Sequence, residues 1–122
     1  MRPISPKVKE AILNDPLYVQ CTRALLLNDH VCAGRITWEH SLIYAGRQID
    51  EKWALVSLCA YAHGVDEYQD GGCLDKKINE WIAINRMSRE DEMKYPRRNW
   101  AQERRFLNAR YGVPVYPQLP RH

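Results

Sequence analysis

The sequence predicts an α+β fold. Two short runs rich in β-branched and aromatic residues, Arg35–Trp38 and Trp53–Ser57, read as strands bounded by Gly34 and by polar loop residues. Directly behind the second run comes Leu58-Cys-Ala-Tyr-Ala-His63, which reads as a helix opening toward a histidine. Helix-start signals and helical spacing of apolar residues on either side place helices before and after this pair of strands.

The elements follow in order. Ser5-Pro6 is an N-cap followed by proline at the first helical position, and Val8, Ala11 and Ile12 form one stripe, so a short helix to about Asn14 is expected. Asp15-Pro16 repeats the signal, but Leu17 to Leu27 fits helix or extended chain equally. Asn28-Asp29 reads as a turn. The segment Leu42–Lys52 is too long for a tight hairpin, with a short turn expected at Gly46. A helix from Cys59 to about Tyr68 should end at the Asp70-Gly71-Gly72 breaker. Asp75 caps a helix with Ile78, Trp81, Ile82 and Asn85 on one face. Ser88-Arg-Glu-Asp91 resembles a capping box. Asn99 to Arg110 forms a last helix bearing Trp100, Phe106 and Leu107, the two aromatics expected in the core, with Gly112 past its end.

A chain of 122 residues, 45% hydrophobic, is one small domain with a modest core that a structural metal would help. Residues 1–112 form it, with a core motif at about 21–70 and a basic helical region at about 74–112. The Pro-rich tail 113–122 is expected to be extended. The longest aliphatic run, Ala24 to Leu27, cannot span a bilayer, and residues 1–20 hold no continuous apolar stretch of a signal peptide. A cytoplasmic location and no membrane partner are therefore the expectation. Four cysteines (Cys21, Cys32, Cys59, Cys73) in such a chain read as metal ligands or buried thiols rather than disulfides.

Charge is unevenly spread. From Arg86 onward there are nine Lys/Arg against four Asp/Glu, while residues 1–85 hold nine against eleven. A basic end suits a polyanion, and Arg97, Arg98, Arg104 and Arg105 are the candidates there, with Arg47 in the central loop. A solvated helical surface is the competing reading of the same charges.

The chemistry concentrates at Trp38-Glu-His40 and Leu58-Cys-x-x-Ala-His63. In this order, between two strand signals and with a helix behind them, these residues resemble the HNH endonuclease family, over about residues 21–70. The whole chain looks like the small phage-encoded members, which would put it in a host cytoplasm. The resemblance implies a ββα-metal core holding one divalent cation (Mg, Mn, Zn or Ni), with His40 as general base. Glu39 and His63 would be metal ligands, and Glu67, one helical turn after His63, a further one. It implies hydrolysis of phosphodiester bonds in DNA leaving 5′-phosphate ends; composition does not separate DNA from RNA. A double-strand break takes two cuts, which leaves a homodimer open. Two positions depart from the family. Ala54 stands where an Asn usually orients the catalytic His, so another group, such as Gln48 or a backbone oxygen, would have to hold the imidazole. Ala62 replaces the second Cys of the Cys-x-x-Cys pair. These departures keep a second reading open: an HNH-like zinc module that has lost cleavage and binds DNA or a protein.

The cysteines form another constellation. His30-x-Cys32 places two ligands on one side of an extended segment, and Cys59 at the strand-to-helix junction could face them. Cys21 would complete a Cys-His-Cys-Cys structural zinc site, with Cys73 as a substitute fourth ligand. Plain burial of apolar thiols is the alternative.

Overall fold

The computed structural model describes residues 4–69 and 75–117. Extended Ser5 and Pro6 open helix α1 (Pro6–Leu13) as expected, since proline gives up an N–H that the first helical turn leaves unpaired anyway. The second signal, Asp15-Pro16, opens only a 3₁₀ turn (Pro16–Val19), with the Asp15 carboxylate accepting from the Leu17 N–H. The ambiguous stretch behind it resolves into a bend and helix α2 (Thr22–Leu27), stopped by Asn28 in the left-handed region at φ 49°.

Strand β1 (Ile36–His40) pairs antiparallel with β4 (Leu55–Cys59), Ile36 opposite Cys59 and His40 opposite Leu55. Both strands lie slightly C-terminal to their expected positions, because Trp53 and Ala54 belong to a 3₁₀ turn (Lys52–Ala54) that leads into β4. All five residues of β4 are fully buried. A strand covered on both faces shows a near-continuous apolar run instead of alternation, and α2 and α4 (Lys76–Ile84) supply part of that cover.

The connection between these strands is too long for a tight hairpin, as expected, and it turns at Gly46. It contains its own hairpin, β2 (Ile43–Tyr44) against β3 (Arg47–Gln48). Its two turn residues, Ala45 and Gly46, have φ of 51° and 78°. Two consecutive positive φ values match the right-handed twist of the flanking strands. Only Gly46 signalled this, since alanine is disfavoured there.

The helix after β4 is shorter than its pattern. Helix α3 (Ala60–His63) ends at Gly64, whose left-handed backbone (φ 74°) returns its N–H to the Ala60 and Tyr61 carbonyls. Asp66, at φ 56°, starts a separate 3₁₀ turn (Asp66–Tyr68) and is gripped by Arg35 through two hydrogen bonds of 2.8 and 3.2 Å. The breaker at Asp70-Gly71-Gly72 lies outside the described residues.

Asp75 caps α4 as predicted, and Ile78, Trp81 and Ile82 are buried. The capping box at Ser88 opens α5 (Arg89–Lys94), with Asp91 filling the role usually taken by Glu or Gln. Helix α6 (Trp100–Tyr111) buries Trp100 and Leu107. Phe106 is 68% exposed, contrary to expectation: one position before Leu107, it lies about 100° round the helix from the buried stripe. Residues 113–117 follow without regular structure, and Tyr116 accepts from Arg86 Nε at 2.9 Å. Among the described residues no helix is long and apolar enough to cross a membrane.

Gly34 ties the loop before β1 to α3. Its φ is +80°, and a Cβ there would stand 2.6 Å from the Ala60 Cβ. The Tyr61 N–H donates to the neighbouring Ala33 carbonyl at 3.2 Å. Gly34→Ala therefore combines left-handed strain with a steric clash and should cost roughly 2–4 kcal/mol in denaturant unfolding. A loss below about 1 kcal/mol would mean that the close approach is not required.

Candidate functional site

The first constellation sits where β4 becomes α3. Cys59 ends the strand and stands at the N-cap of α3, and Cys21 stands at the N-cap of α2. His30 and Cys32 lie in the loop that leads to Gly34 and β1. His30 Nε2 is 3.5 Å from the Cys21 Sγ, 3.5 Å from the Cys32 Sγ and 3.4 Å from the Cys59 Sγ. All four donor atoms fall within 4.8 Å of one another. Around a tetrahedral zinc-like ion, with metal–sulfur and metal–nitrogen bonds near 2.3 and 2.0 Å, nitrogen and sulfur stand about 3.5 Å apart. The spacing fits a metal ion. Cys73 lies outside the described residues.

The surroundings orient the imidazole for that purpose. His30 Nδ1 is 2.7 Å from the Asp29 carboxylate, which also accepts from Arg23 Nε at 2.8 Å. The Arg23 side chain is buried and donates further to the Asp75 carbonyl. A proton on Nδ1 held by a carboxylate leaves the Nε2 lone pair directed at the three sulfurs, the arrangement that raises a histidine's basicity as a ligand. The thiols differ among themselves. Burial pushes Cys21 up, and burial together with its thiol neighbours pushes Cys32 up to about 12. Burial also opposes ionisation of Cys59, but hydrogen bonds from the Ala62 and Ala33 backbone and from His30 outweigh it and bring the thiol down to about 7.

The second constellation is an acid–imidazole pair. Thr37 and Glu39 lie two apart on β1 and so project to the same side, the side on which α3 delivers His63. The Thr37 hydroxyl donates to the Leu58 carbonyl at 3.0 Å, so at 2.7 Å from His63 Nδ1 its oxygen accepts the ring proton. The His63 Nε2 lone pair then faces the Glu39 carboxylate, 3.9 Å away. Burial, with Lys76 and Arg35 adding to it, lowers His63 to about 4, which keeps the ring neutral near pH 7. Burial raises the Glu39 carboxyl, against the opposing pull of Lys76 and Asn79. Lys76 Nζ donates to Glu39 Oε2 at 3.1 Å and to the His63 carbonyl at 2.7 Å, and Asn79 Nδ2 donates to the same Glu39 oxygen at 3.1 Å.

His40 lies next to Glu39 at the end of β1. Its Nε2 is 3.2 Å from the Asp50 Oδ1, and its side chain is almost wholly buried. Asp50 accepts in addition from the Ser5 N–H at 3.1 Å. Against partial burial, Ser5 and His40 hold the Asp50 carboxyl below its ordinary value. An ionised Asp50 keeps the His40 proton on Nε2 and leaves Nδ1 as the basic nitrogen.

Several expectations are revised. Asp50, not Gln48 or a backbone oxygen, holds the His40 ring; the Gln48 Oε1 is buried without a hydrogen-bond partner among the described residues. Ala54 is fully buried in its 3₁₀ turn. Glu67 is exposed, and Gly64 breaks the helical repeat that was to bring it beside His63. Arg98 is occupied by Glu103, by the Ile43 carbonyl and by the Trp100 ring, 4.2 Å beneath its guanidinium. Arg104 pairs with Glu92 at 3.5 Å and donates to the Ile84 carbonyl. Arg97 and Arg105 are exposed. Arg47 is exposed too and lines a cleft of about 600 Å³ with Ser5, Tyr44, Gln48, Asp50 and Tyr95. Sequence reasoning missed Thr37, Asp50, Lys76 and Asn79, none of which carries a spacing signal relative to its partner.

Comparison with protein-family models, with curated proteins and with solved structures finds no match for this chain.

The Cys/His cluster makes a measurable claim. Asp29→Ala removes the group that orients His30 and should weaken metal affinity roughly 10- to 100-fold in a chelator competition. Cys59→Ser should abolish stoichiometric metal altogether, read by elemental analysis. Unchanged metal content in Cys59→Ser would show that the cluster is not the binding site.

Proposed function

We propose that this chain is a metal-dependent endonuclease of the HNH type, hydrolysing phosphodiester bonds in DNA. The observation that carries the reading is the convergence of Glu39 and His63, from β1 and from the helix behind β4, with the lone pair of a neutral imidazole facing a carboxylate at 3.9 Å. That separation lies between the cis and trans ligand spacings, about 3.0 and 4.2 Å, of a cation with bonds near 2.1 Å, and one nitrogen with one oxygen is a donor set for a hard or borderline metal. The Cys21, His30, Cys32 and Cys59 cluster is read as a structural zinc site, on the tetrahedral spacing of its donors.

The residues divide the work as follows. Glu39 and His63 would hold a divalent cation, which would supply charge neutralisation on the scissile phosphate and on the leaving 3′-oxygen. His40 Nδ1 takes a proton from the attacking water as its oxygen bonds to phosphorus, and the bond from phosphorus to the 3′-oxygen breaks. Asp50 holds the ring in the tautomer that exposes Nδ1 and stabilises the imidazolium that forms. A carboxylate performs this second task better than a neutral amide would. Arg47 and Arg97 supply contacts to the phosphate backbone, which position a duplex without reading its sequence.

A second reading has its own observation in favour. The buried His40 ring and the lysine seated on Glu39 describe a quiet site, as expected of a zinc module that binds nucleic acid or a protein without cutting.

Plasmid nicking with Mg²⁺ or Mn²⁺ separates the two. The nuclease reading expects metal-dependent nicking that His40→Ala reduces by about 10²- to 10⁴-fold. Asp50→Ala should also lower the rate while leaving the zinc content at the cysteines unchanged. Intact plasmid, together with an undiminished band shift for His40→Ala, would establish the binding module instead.

A further inference from the structure

Lys76 is the first residue of α4, and its position is electrostatically unusual. A cation in the first turn opposes the helix dipole, and the N-cap carboxylate of Asp75 is engaged by the Lys77 N–H. Lys76 has its own partners elsewhere in the chain. Its ammonium reaches the Glu39 carboxylate at 3.1 Å and the His63 carbonyl at 2.7 Å. One positive charge thus already contacts both residues of the acid–imidazole pair. The Glu39 side chain is only 16% exposed, so its charge requires a partner at close range, whereas the Lys76 side chain is 51% exposed and ends a flexible four-carbon stem. Asn79, the other donor to Glu39, is fully buried and has little room to move.

Resting on the reading of Glu39 and His63 as a divalent-cation site, we infer that Lys76 is that site's resident monovalent cation, a tethered ammonium that divalent metal must displace. A divalent ion bound to the Glu39 carboxylate would lie within a few ångströms of the ammonium, and the repulsion at that range exceeds what a half-exposed lysine gains by staying. Lys76 therefore swings outward when metal binds, and the two charges compete for Glu39. In the metal-free chain the lysine gives a buried carboxylate its counter-charge and links it to the His63 carbonyl. The cost is a weakened affinity for the incoming ion. Asn79 stays on Glu39 in both states and holds the carboxylate in place while its cation is exchanged.

Mn²⁺ titration by calorimetry tests this on the full chain with its cysteine cluster loaded with zinc. Mn²⁺ prefers oxygen and nitrogen donors and does not compete for thiolates. Work at about pH 8 favours the ionised form of Glu39 in every variant. Lys76→Met is expected to bind Mn²⁺ about tenfold tighter than the unaltered chain, and Lys76→Arg, which keeps the charge, no tighter. Lys76→Gln repeats the neutralisation should the methionine variant fail to fold. Equal or weaker Mn²⁺ binding by the neutral variants overturns the role given to Lys76 while leaving the metal site standing. Absence of Mn²⁺ binding in every variant removes the metal site itself, and the inference with it.

Discussion

The junction between β4 and α3 is the constraint on which the remaining structure depends. Cys59 belongs to the ladder through Ile36, to the thiol cluster through His30, and to α3 as its N-cap. Three independent requirements meet in one residue. If β4 slipped by one position, every side chain of that strand would change face, Cys59 would leave the cluster and His63 would leave Glu39. The cluster and the acid–imidazole pair are thus two consequences of a single register. The four-residue α3 is held from both ends, by Gly34 packed against Ala60 and by Gly64 closing its last turn.

That coupling gives the Cys/His cluster a meaning beyond local stability. Among the described residues the two sheets have two strands each, and the core is modest. Isolated two-stranded hairpins are marginal in water, so the ladder must gain its order from what covers it. Helices α2 and α4 cover β4, and the cluster ties the loop before β1 to β4 at the end of the ladder opposite His40. Arg23 then links the two regions: it is buried, it holds the Asp29 that orients His30, and it donates to the carbonyl of Asp75, the residue before Lys76. A path of contacts therefore runs from the thiols to the start of α4.

Much of this was legible in the sequence, where the signal was local or chemical. The caps at Asp75 and Ser88 are short-range hydrogen-bond patterns and Ser5-Pro6 is a local backbone signal, and each of these helices begins where the signal predicts. Cys21, His30, Cys32 and Cys59 were identifiable because thiols and imidazoles are few and because a strand-to-helix junction supplies a fixed direction. The convergence of Glu39 with His63 followed from the order strand, strand, helix. What stayed hidden involved competition between local signals. Gly64 stops α3 before the stronger-looking Gly71-Gly72 pair is reached, because one glycine in the left-handed region suffices. The turn at Gly46 was legible, but Ala45 beside it, in a conformation alanine avoids, hid the paired strands that the turn joins.

The partners of the site residues were hidden for a different reason. Asp50 reaches His40 only because the β2–β3 hairpin folds the intervening chain back, and nothing in the spacing of two residues across a loop encodes that. Lys76 reads as an ordinary solvated lysine until α4 is seen to start beside Glu39. In each case the sequence supplied the chemically demanding member of a pair, a histidine or a buried carboxylate, and left its complement unnamed. Physical chemistry requires that complement, since a buried charge without one costs several kcal/mol. The demand can therefore be read from sequence alone, while the residue that meets it is settled by topology. For Glu39 topology chose Lys76, a half-exposed lysine on a flexible stem, together with the buried Asn79.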